Sequence, residues 1–111
     1  MEKQEEQAVI VRVVAHLNEL TGARYRPKAV DAQRHMLARL HEGRSEQDML
    51  DVVDAMCALW LGNETMERYL RPQTLFGTKM ESYLNTARLK KKKTAPAATG
   101  RFRDASDLLG D

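Results

Sequence analysis

The most informative part of the sequence runs from residue 67 to residue 85 and reads ERYLRPQTLFGTKMESYLN. It holds three aromatic and five charged residues around turns at Pro72 and Gly77. Because proline cannot continue a helix, we predict one short helical turn before Pro72 and another between Pro72 and Gly77. The sequence TKME at residues 78 to 81 has the capping-box form, a threonine followed three positions later by a glutamate, and it predicts the start of a final helix.

The apolar and the charged side chains of this stretch have separate expected roles. The apolar ones should fold the short turns back over the third helix, and these anchors are Tyr69, Leu70, Leu75 and Phe76. Arg68 and Arg71 should form ion pairs with neighbouring glutamates and so pin the proline turn.

Three longer amphipathic segments precede this stretch. The first predicted helix spans residues 8 to 20, the second opens at Pro27 and stops at Gly43, and the third opens after the N-cap Ser45 and stops at Gly62. Apolar residues recur in each at intervals of three and four, and strand-like alternation appears nowhere. We therefore predict an all-α fold, a small helical bundle of three main helices plus short turns and a final helix, with a flexible basic C-terminal tail. The predicted core consists of Leu17, Val30, Leu37, Val53, Met56, Trp60, Tyr69, Leu75, Phe76 and Leu84.

The composition sets limits on the class of protein. A chain of 111 residues has material for one modest core, and an aromatic content of 5% disfavours a β-sandwich or barrel. The polar first seven residues do not resemble a signal peptide, and no apolar run approaches the roughly 20 residues of a membrane helix. We expect a cytoplasmic protein. With Cys57 as the single cysteine, an internal disulfide is excluded.

The net charge of +2 is unevenly distributed. Residues 8 to 87 carry ten basic and ten acidic side chains, whereas residues 88 to 103 carry seven basic side chains and no acidic one. The excess basicity therefore lies in the tail. We divide the chain into a helical domain at residues 1–89 and a flexible basic linker with a terminal peptide at residues 90–111.

Two groups of basic residues are candidate DNA contacts. Arg24, Tyr25, Arg26 and Lys28 form a compact cluster in a loop, of the kind that clamps a nucleic-acid strand by charge and stacking. The alternative is that Tyr25 packs on the bundle and the cations are merely exposed. The second group contains several flexible cations that can follow a phosphate backbone. The alternative is that these cations form only the solvated end of a helix. This second group consists of Arg88, Lys90, Lys91, Lys92 and Lys93.

The last eleven residues suggest a different role. Phe102, Leu108 and Leu109 lie beyond a spacer rich in alanine, with acidic residues around them. Acidic surroundings suit DNA poorly but suit docking as a short amphipathic segment in the groove of a partner protein. The alternative is that this end has no function.

Little in the sequence suggests an enzyme. His16, His35 and His41 lack a metal-ligand spacing, and Cys57 lies in an apolar stripe with no evident base nearby. We expect no catalytic residue, no metal site and no cofactor. Trp60 is in helical phase with the third-helix core, so that Trp60→Ala should cost roughly 3 to 5 kcal/mol. A surface stacking role for Trp60 is the alternative.

The stretch at residues 69 to 85 resembles a known pattern, Y-L-R-P-x-T-L-F-G-x-K-x-E-x-Y-L-N. Residues 17 to 27 (LNELTGARYRP), 38 to 43 (ARLHEG) and 60 to 62 (WLG) resemble further segments of the same family in the same order. The family is the conserved phage C-terminal domain of replication initiators and replisome organisers, often compared with DnaD-like primosomal proteins. The resemblance covers about residues 14–86.

The resemblance implies a helical, non-enzymatic module of bacteriophage DNA replication that contacts DNA and helps to bring in the helicase-loading machinery. The implied partners are single- or double-stranded DNA and a replicative helicase or its loader. Family members usually carry this domain behind an N-terminal winged-helix domain, whereas only about a dozen residues precede the match here, so that the resemblance does not assign origin recognition to these residues. Two other functions stay open, a replisome adaptor that contacts only proteins and a small phage transcriptional regulator.

Overall fold

The computed structural model describes residues 2–94, with the backbone alone at residues 90–94, and contains helices and turns but no strand in that range. The elements are α1 (Lys3–Thr21), α2 (Val30–His41), α3 (Glu46–Trp60), a 3₁₀ turn (Glu67–Tyr69), α4 (Pro72–Leu75) and α5 (Met80–Thr94). The predicted all-α class, with three main helices, short turns and a final helix, is confirmed.

Local sequence signals explain where α1 and α3 begin and end. Helix α1 starts earlier than predicted because Glu2 and Glu5 form a capping box around its first turn. It ends at Gly22, which adopts the left-handed conformation (φ 77°) that glycine accepts without strain. Ser45 caps α3 as predicted: its hydroxyl accepts from the backbone N–H of Asp48 at 3.0 Å, and Asp48 accepts from the backbone N–H of Ser45 at 3.1 Å.

Two predicted helix starts are wrong. Helix α2 begins at Val30 with Ala29 as its N-cap, because Pro27 occupies a turn rather than the first helical position. Helix α5 begins at Met80, since the N–H of Tyr83 donates to the carbonyl of Lys79 at 3.2 Å. Lys79 is therefore the N-cap residue of α5, the position that the capping-box pattern assigns to Thr78.

Contacts between side chains define how the long helices run. Arg12 pairs with Glu46, and His16 lies 2.6 Å from Asp54, so that α1 and α3 run in the same direction. Helix α5 packs on α3 in the opposite direction, since Tyr83 contacts Trp60 at the end of α3 and Arg88 approaches Asp48 at its start.

The stretch at residues 67–85 closes the core. Leu75 and Phe76 have no exposed surface and Leu70 is buried. Helix α4 packs chiefly against α2 and α5, while Tyr69 of the 3₁₀ turn contacts Trp60 at the end of α3. The backbone turns so tightly after α4 that a Cβ on Gly77 would lie 2.7 Å from the carbonyl oxygen of Gln73. Only glycine fits this turn without displacing the backbone.

The core is built from α1, α3, α4 and α5 with one stripe of α2. Leu17, Val53, Met56 and Leu84 are buried, as predicted. Val30 is 76% exposed and does not belong to the core. It lies six positions before the buried Met36, which places it about a third of a turn away from the buried face of α2.

Three further predicted core residues are only half-buried. Leu37 and Trp60 pack against the edge of the core, and Tyr69 lies at the surface turn before α4. Helix α5 continues through Thr94, so that the backbone of residues 90 to 94 extends the final helix. The remaining linker and the terminal peptide, residues 95–111, lie outside the described residues.

Candidate functional site

The loop between α1 and α2 is fixed by one asparagine side chain. The amide of Asn18 donates to the backbone carbonyl of Tyr25 and accepts from its N–H, both at 2.9 Å. This pair of bonds holds Tyr25 so that its half-buried ring packs on the core. Of the two interpretations of Tyr25, packing on the bundle is the one observed.

Arg24 and Arg26 differ from Tyr25 in being exposed. Within residues 2–94 neither side chain has an ion-pair or hydrogen-bond partner. Both line a cleft of about 270 Å³ whose opposite wall is formed by Pro72 and Gln73 of α4. The cleft therefore presents two cations that are free to meet an anionic ligand.

The other two charged residues of this region are already engaged. The Nζ of Lys28 donates to the side-chain carbonyl of Gln7 at 2.8 Å, which directs it along α1. Asp31, which also lines the cleft, lies 3.1 Å from Arg34 in the same helix. Lys28 therefore does not line the cleft, although its bond to a neutral amide leaves its positive charge in place.

Helix α5 carries the second predicted basic group to the other end of the bundle. Arg88 is exposed and lies 3.8 Å from Asp48 in the first turn of α3. Trp60 ends α3 twelve residues later, about 18 Å away along the helix axis. The backbone of Lys90–Lys93 continues α5 beyond Arg88. The side chains of these lysines lie outside the described residues, as do Phe102, Leu108 and Leu109.

A groove of about 550 Å³ lies at the junction of α3, the 3₁₀ turn and α5. We call it the aromatic groove and define it by Trp60, Tyr69, Tyr83, Arg71 and Lys79. The ring centroids of Trp60 and Tyr83 are 5.6 Å apart at an interplanar angle of 83°, and those of Trp60 and Tyr69 are 6.5 Å apart at 66°. Edge-to-face packing leaves ring faces that are not stacked on each other.

Arg68 and Arg71 contact an aromatic ring rather than the predicted glutamates. Their guanidinium carbons lie 5.2 Å and 5.4 Å from the centroid of Tyr69, within the range of cation–π attraction. The Nε of Arg71 also donates to the hydroxyl of Thr74 at 2.9 Å. The expected ion pairs are therefore wrong, and the proline turn is held by a cation–aromatic cluster at the rim of the aromatic groove.

The cleft and the aromatic groove are neighbours. Gln73 lines both, so that α4 forms the ridge between them. No acidic side chain lines the aromatic groove within the described residues. Arg24 and Arg26 on one side of α4 and Arg71 and Lys79 on the other thus form one surface that is basic and aromatic.

Sequence reasoning identified the loop cations but missed the aromatic groove as a unit. It assigned Tyr69 to the core, and Trp60 to the core with surface stacking as the alternative. A signal was present, because these rings lie close to a proline turn and a glycine turn that bring separated segments together. Their convergence depends on the antiparallel packing of α3 and α5, which periodicity alone does not reveal.

The cysteine and two of the histidines are held by burial or by contacts with carboxylates. Burial, and secondarily the charge of Asp54, raises the pKa of the Cys57 thiol, which keeps it protonated at neutral pH. His16 pairs with Asp54, and His41 lies 2.8 Å from the carboxylate of Glu6, which is buried. Among residues 2–94, no cluster of three histidine, cysteine or acidic side chains is arranged to hold a metal ion.

Comparisons with known proteins agree with the motif at residues 69 to 85. None of the helices described for residues 2–94 combines the length and the apolar character needed to span a membrane.

No curated protein and no solved structure matches the chain. The model of one protein family, described as the conserved phage C-terminus, matches residues 13–85, which is more than half of the chain and close to the range expected from the sequence. The chain therefore belongs to the conserved phage C-terminus family.

Proposed function

We propose that the chain is a DNA-binding module of a bacteriophage DNA replication initiation system, of the replisome-organiser and DnaD-like kind. It acts in the cytoplasm of the bacterial host, without catalysis or a cofactor, and helps to recruit the helicase-loading machinery. The observation that supports DNA binding best is the shared surface of the cleft and the aromatic groove, where free cations lie beside aromatic rings.

The charges of this surface suit a phosphate backbone. Among the described residues Arg24 and Arg26 have no ion-pair partner, so their contact with phosphates releases counterions from DNA without breaking an ion pair in that part of the fold. The folded part of the chain is neutral by count, with ten basic and ten acidic residues at positions 8 to 87. Attraction to DNA thus depends on where the cations lie rather than on overall charge.

The basic end of α5 is the second proposed contact. The helix carries Arg88 and Lys90–Lys93 away from the bundle at the start of α3, at the opposite end of that helix from Trp60. A DNA strand that reaches both regions must therefore run along the length of α3. Replacing Lys90 to Lys93 by alanine should weaken DNA binding and flatten its salt dependence.

Fluorescence anisotropy with labelled single- and double-stranded oligonucleotides, measured across a salt series, tests the proposal. We expect salt-sensitive binding with little sequence preference, and a weaker salt slope for the double variant Arg24→Ala, Arg26→Ala. The variant Arg12→Ala is the matched control, because it removes an exposed cation that already pairs with Glu46 and does not line the cleft. Absence of binding at low salt would favour the protein-only adaptor, and tight preference for one duplex would favour the transcriptional regulator.

Recruitment of the helicase-loading machinery is assigned to the terminal peptide with Phe102, Leu108 and Leu109. Deleting residues 101–111 should leave DNA binding largely intact but remove a helicase or a helicase loader from pull-downs of host lysate. Unchanged partners together with normal replication in cells would remove this part of the proposal. Loss of DNA binding on deletion would instead contradict the separation of the two roles.

A further inference from the structure

We infer that the aromatic groove holds an unpaired nucleobase of single-stranded DNA, which stacks on the face of Trp60 and meets the nearly perpendicular ring of Tyr83 edge to face, with Arg71 and Lys79 facing the adjacent phosphates. This inference rests on the proposed DNA binding and specifies its ligand: the cleft binds the backbone of either form of DNA, whereas the aromatic groove binds only bases that are not paired.

The geometry of the rings supports stacking. Trp60 is half-buried at the edge of the core, so one part of the indole is held in place while another part lines the aromatic groove. Tyr83 is held against it at 83° and is also half-buried. The rings are therefore fixed before a ligand arrives, and little conformational entropy is lost when a base stacks on them.

The positions of the cations point to a nucleotide rather than to a simple apolar ligand. Arg71 is fixed over Tyr69 and by its bond to Thr74, and Lys79 is exposed at the other rim of the aromatic groove. A base between the rims would place its phosphates near these positive charges. Base stacking on aromatic side chains together with cations along the backbone is the usual means of binding single strands without sequence preference.

The neighbouring cleft extends the same path. Gln73 belongs to both walls, so a strand leaving the aromatic groove across α4 meets Arg24 and Arg26 next. Duplex DNA can use the cleft cations, but its bases are stacked within the helix and do not reach the aromatic rings. We therefore expect the cleft to bind both single-stranded and duplex DNA, and the aromatic groove to bind only single-stranded DNA.

The test uses the fluorescence of Trp60, the single tryptophan of the chain, in the full-length protein. Titration with oligothymidylate should quench its emission, whereas an oligonucleotide of equal length made of abasic sites, which keeps the phosphates, should leave it largely unchanged. Loss of base stacking should weaken binding of the abasic strand by about 5-fold to 100-fold. Equal affinity for the two strands with no quenching by either would overturn the inference.

Two variants separate this inference from the proposed function. Tyr83→Ala should lower affinity for oligothymidylate and leave affinity for a duplex unchanged, whereas Arg24→Ala with Arg26→Ala should lower both. If circular dichroism shows that Tyr83→Ala is unfolded, the quenching experiment on the unaltered protein decides. Binding of oligothymidylate, duplex and abasic strands with similar affinity and no quenching by any of them would contradict the aromatic groove alone, and absence of all DNA binding at low salt would contradict both. Quenching by a proline-rich peptide but not by oligothymidylate would assign the aromatic groove to a protein ligand.

Discussion

The stretch at residues 67–85 has two sides with opposite environments. On one side Leu75 and Phe76 have no exposed surface and complete the core. On the other side Tyr69 and Tyr83 are half-buried and line the aromatic groove. The tight turn at Gly77 lies between them. One short segment thus fixes the bundle and shapes the surface, and its dense pattern of proline, glycine and aromatic residues reflects both demands.

The buried side should account for the largest loss of stability. Phe76→Ala removes a side chain with no exposed surface, and we expect it to cost about 3 to 5 kcal/mol of unfolding free energy. Urea denaturation followed by circular dichroism measures this change. Leu89→Ala, at a position that is 62% exposed in α5, is the control and should change stability by less than about 0.5 kcal/mol. Similar costs for the two variants would contradict the assigned core.

The groove side should tolerate truncation better. Trp60→Ala removes a half-buried ring, and we expect a cost of roughly 2 kcal/mol, below the value that full burial predicts. The same denaturation experiment, with Trp60→Phe to retain an aromatic ring beside Tyr83, measures the difference. A loss as large as that of Phe76→Ala would mean that Trp60 belongs to the core. A negligible loss would mean that the edge-to-face contacts contribute little.

Much of the bundle could be predicted from the sequence because its signals are local. The spacing of Val9, Val13 and Leu17 defines the buried face of α1, and Ser45 with Asp48 defines the start of α3. The error at Val30 has a local origin as well. An apolar residue at a helix start extends the apparent periodicity, although its angular position places it outside the buried face.

The surface was harder to predict because it depends on tertiary packing. Arg68 and Arg71 have glutamates nearby in sequence, yet the turn before α4 places both guanidinium groups over Tyr69. The aromatic groove likewise requires Trp60 and Tyr83, twenty-three positions apart, to meet across α3 and α5. The charged cluster at Arg24 and Arg26 was visible because its members are adjacent in the chain.

The smallest predicted effect concerns an ion pair remote from both sides of this stretch. The Nε and Nη2 atoms of Arg12 donate to the two carboxylate oxygens of Glu46, both at 2.7 Å, and join α1 to the first turn of α3. These hydrogen bonds lower the pKa of the Glu46 carboxyl and raise that of the Arg12 guanidinium. Both side chains are accessible to solvent, so the pair stabilises the fold only slightly.

Arg12→Ala should therefore lower the midpoint of thermal unfolding slightly near neutral pH, with a difference that depends on pH. A carboxyl whose pKa is lower in the folded state stabilises the fold above its unfolded pKa of about 4.3, and this contribution is lost as pH falls through the folded pKa. The difference between variant and unaltered protein should thus shrink on acidification below about pH 4. Arg34→Ala, which breaks a contact within one helix, controls for the loss of a surface charge. A difference that stays constant down to low pH would mean that Arg12 acts through packing of its aliphatic stem rather than through Glu46.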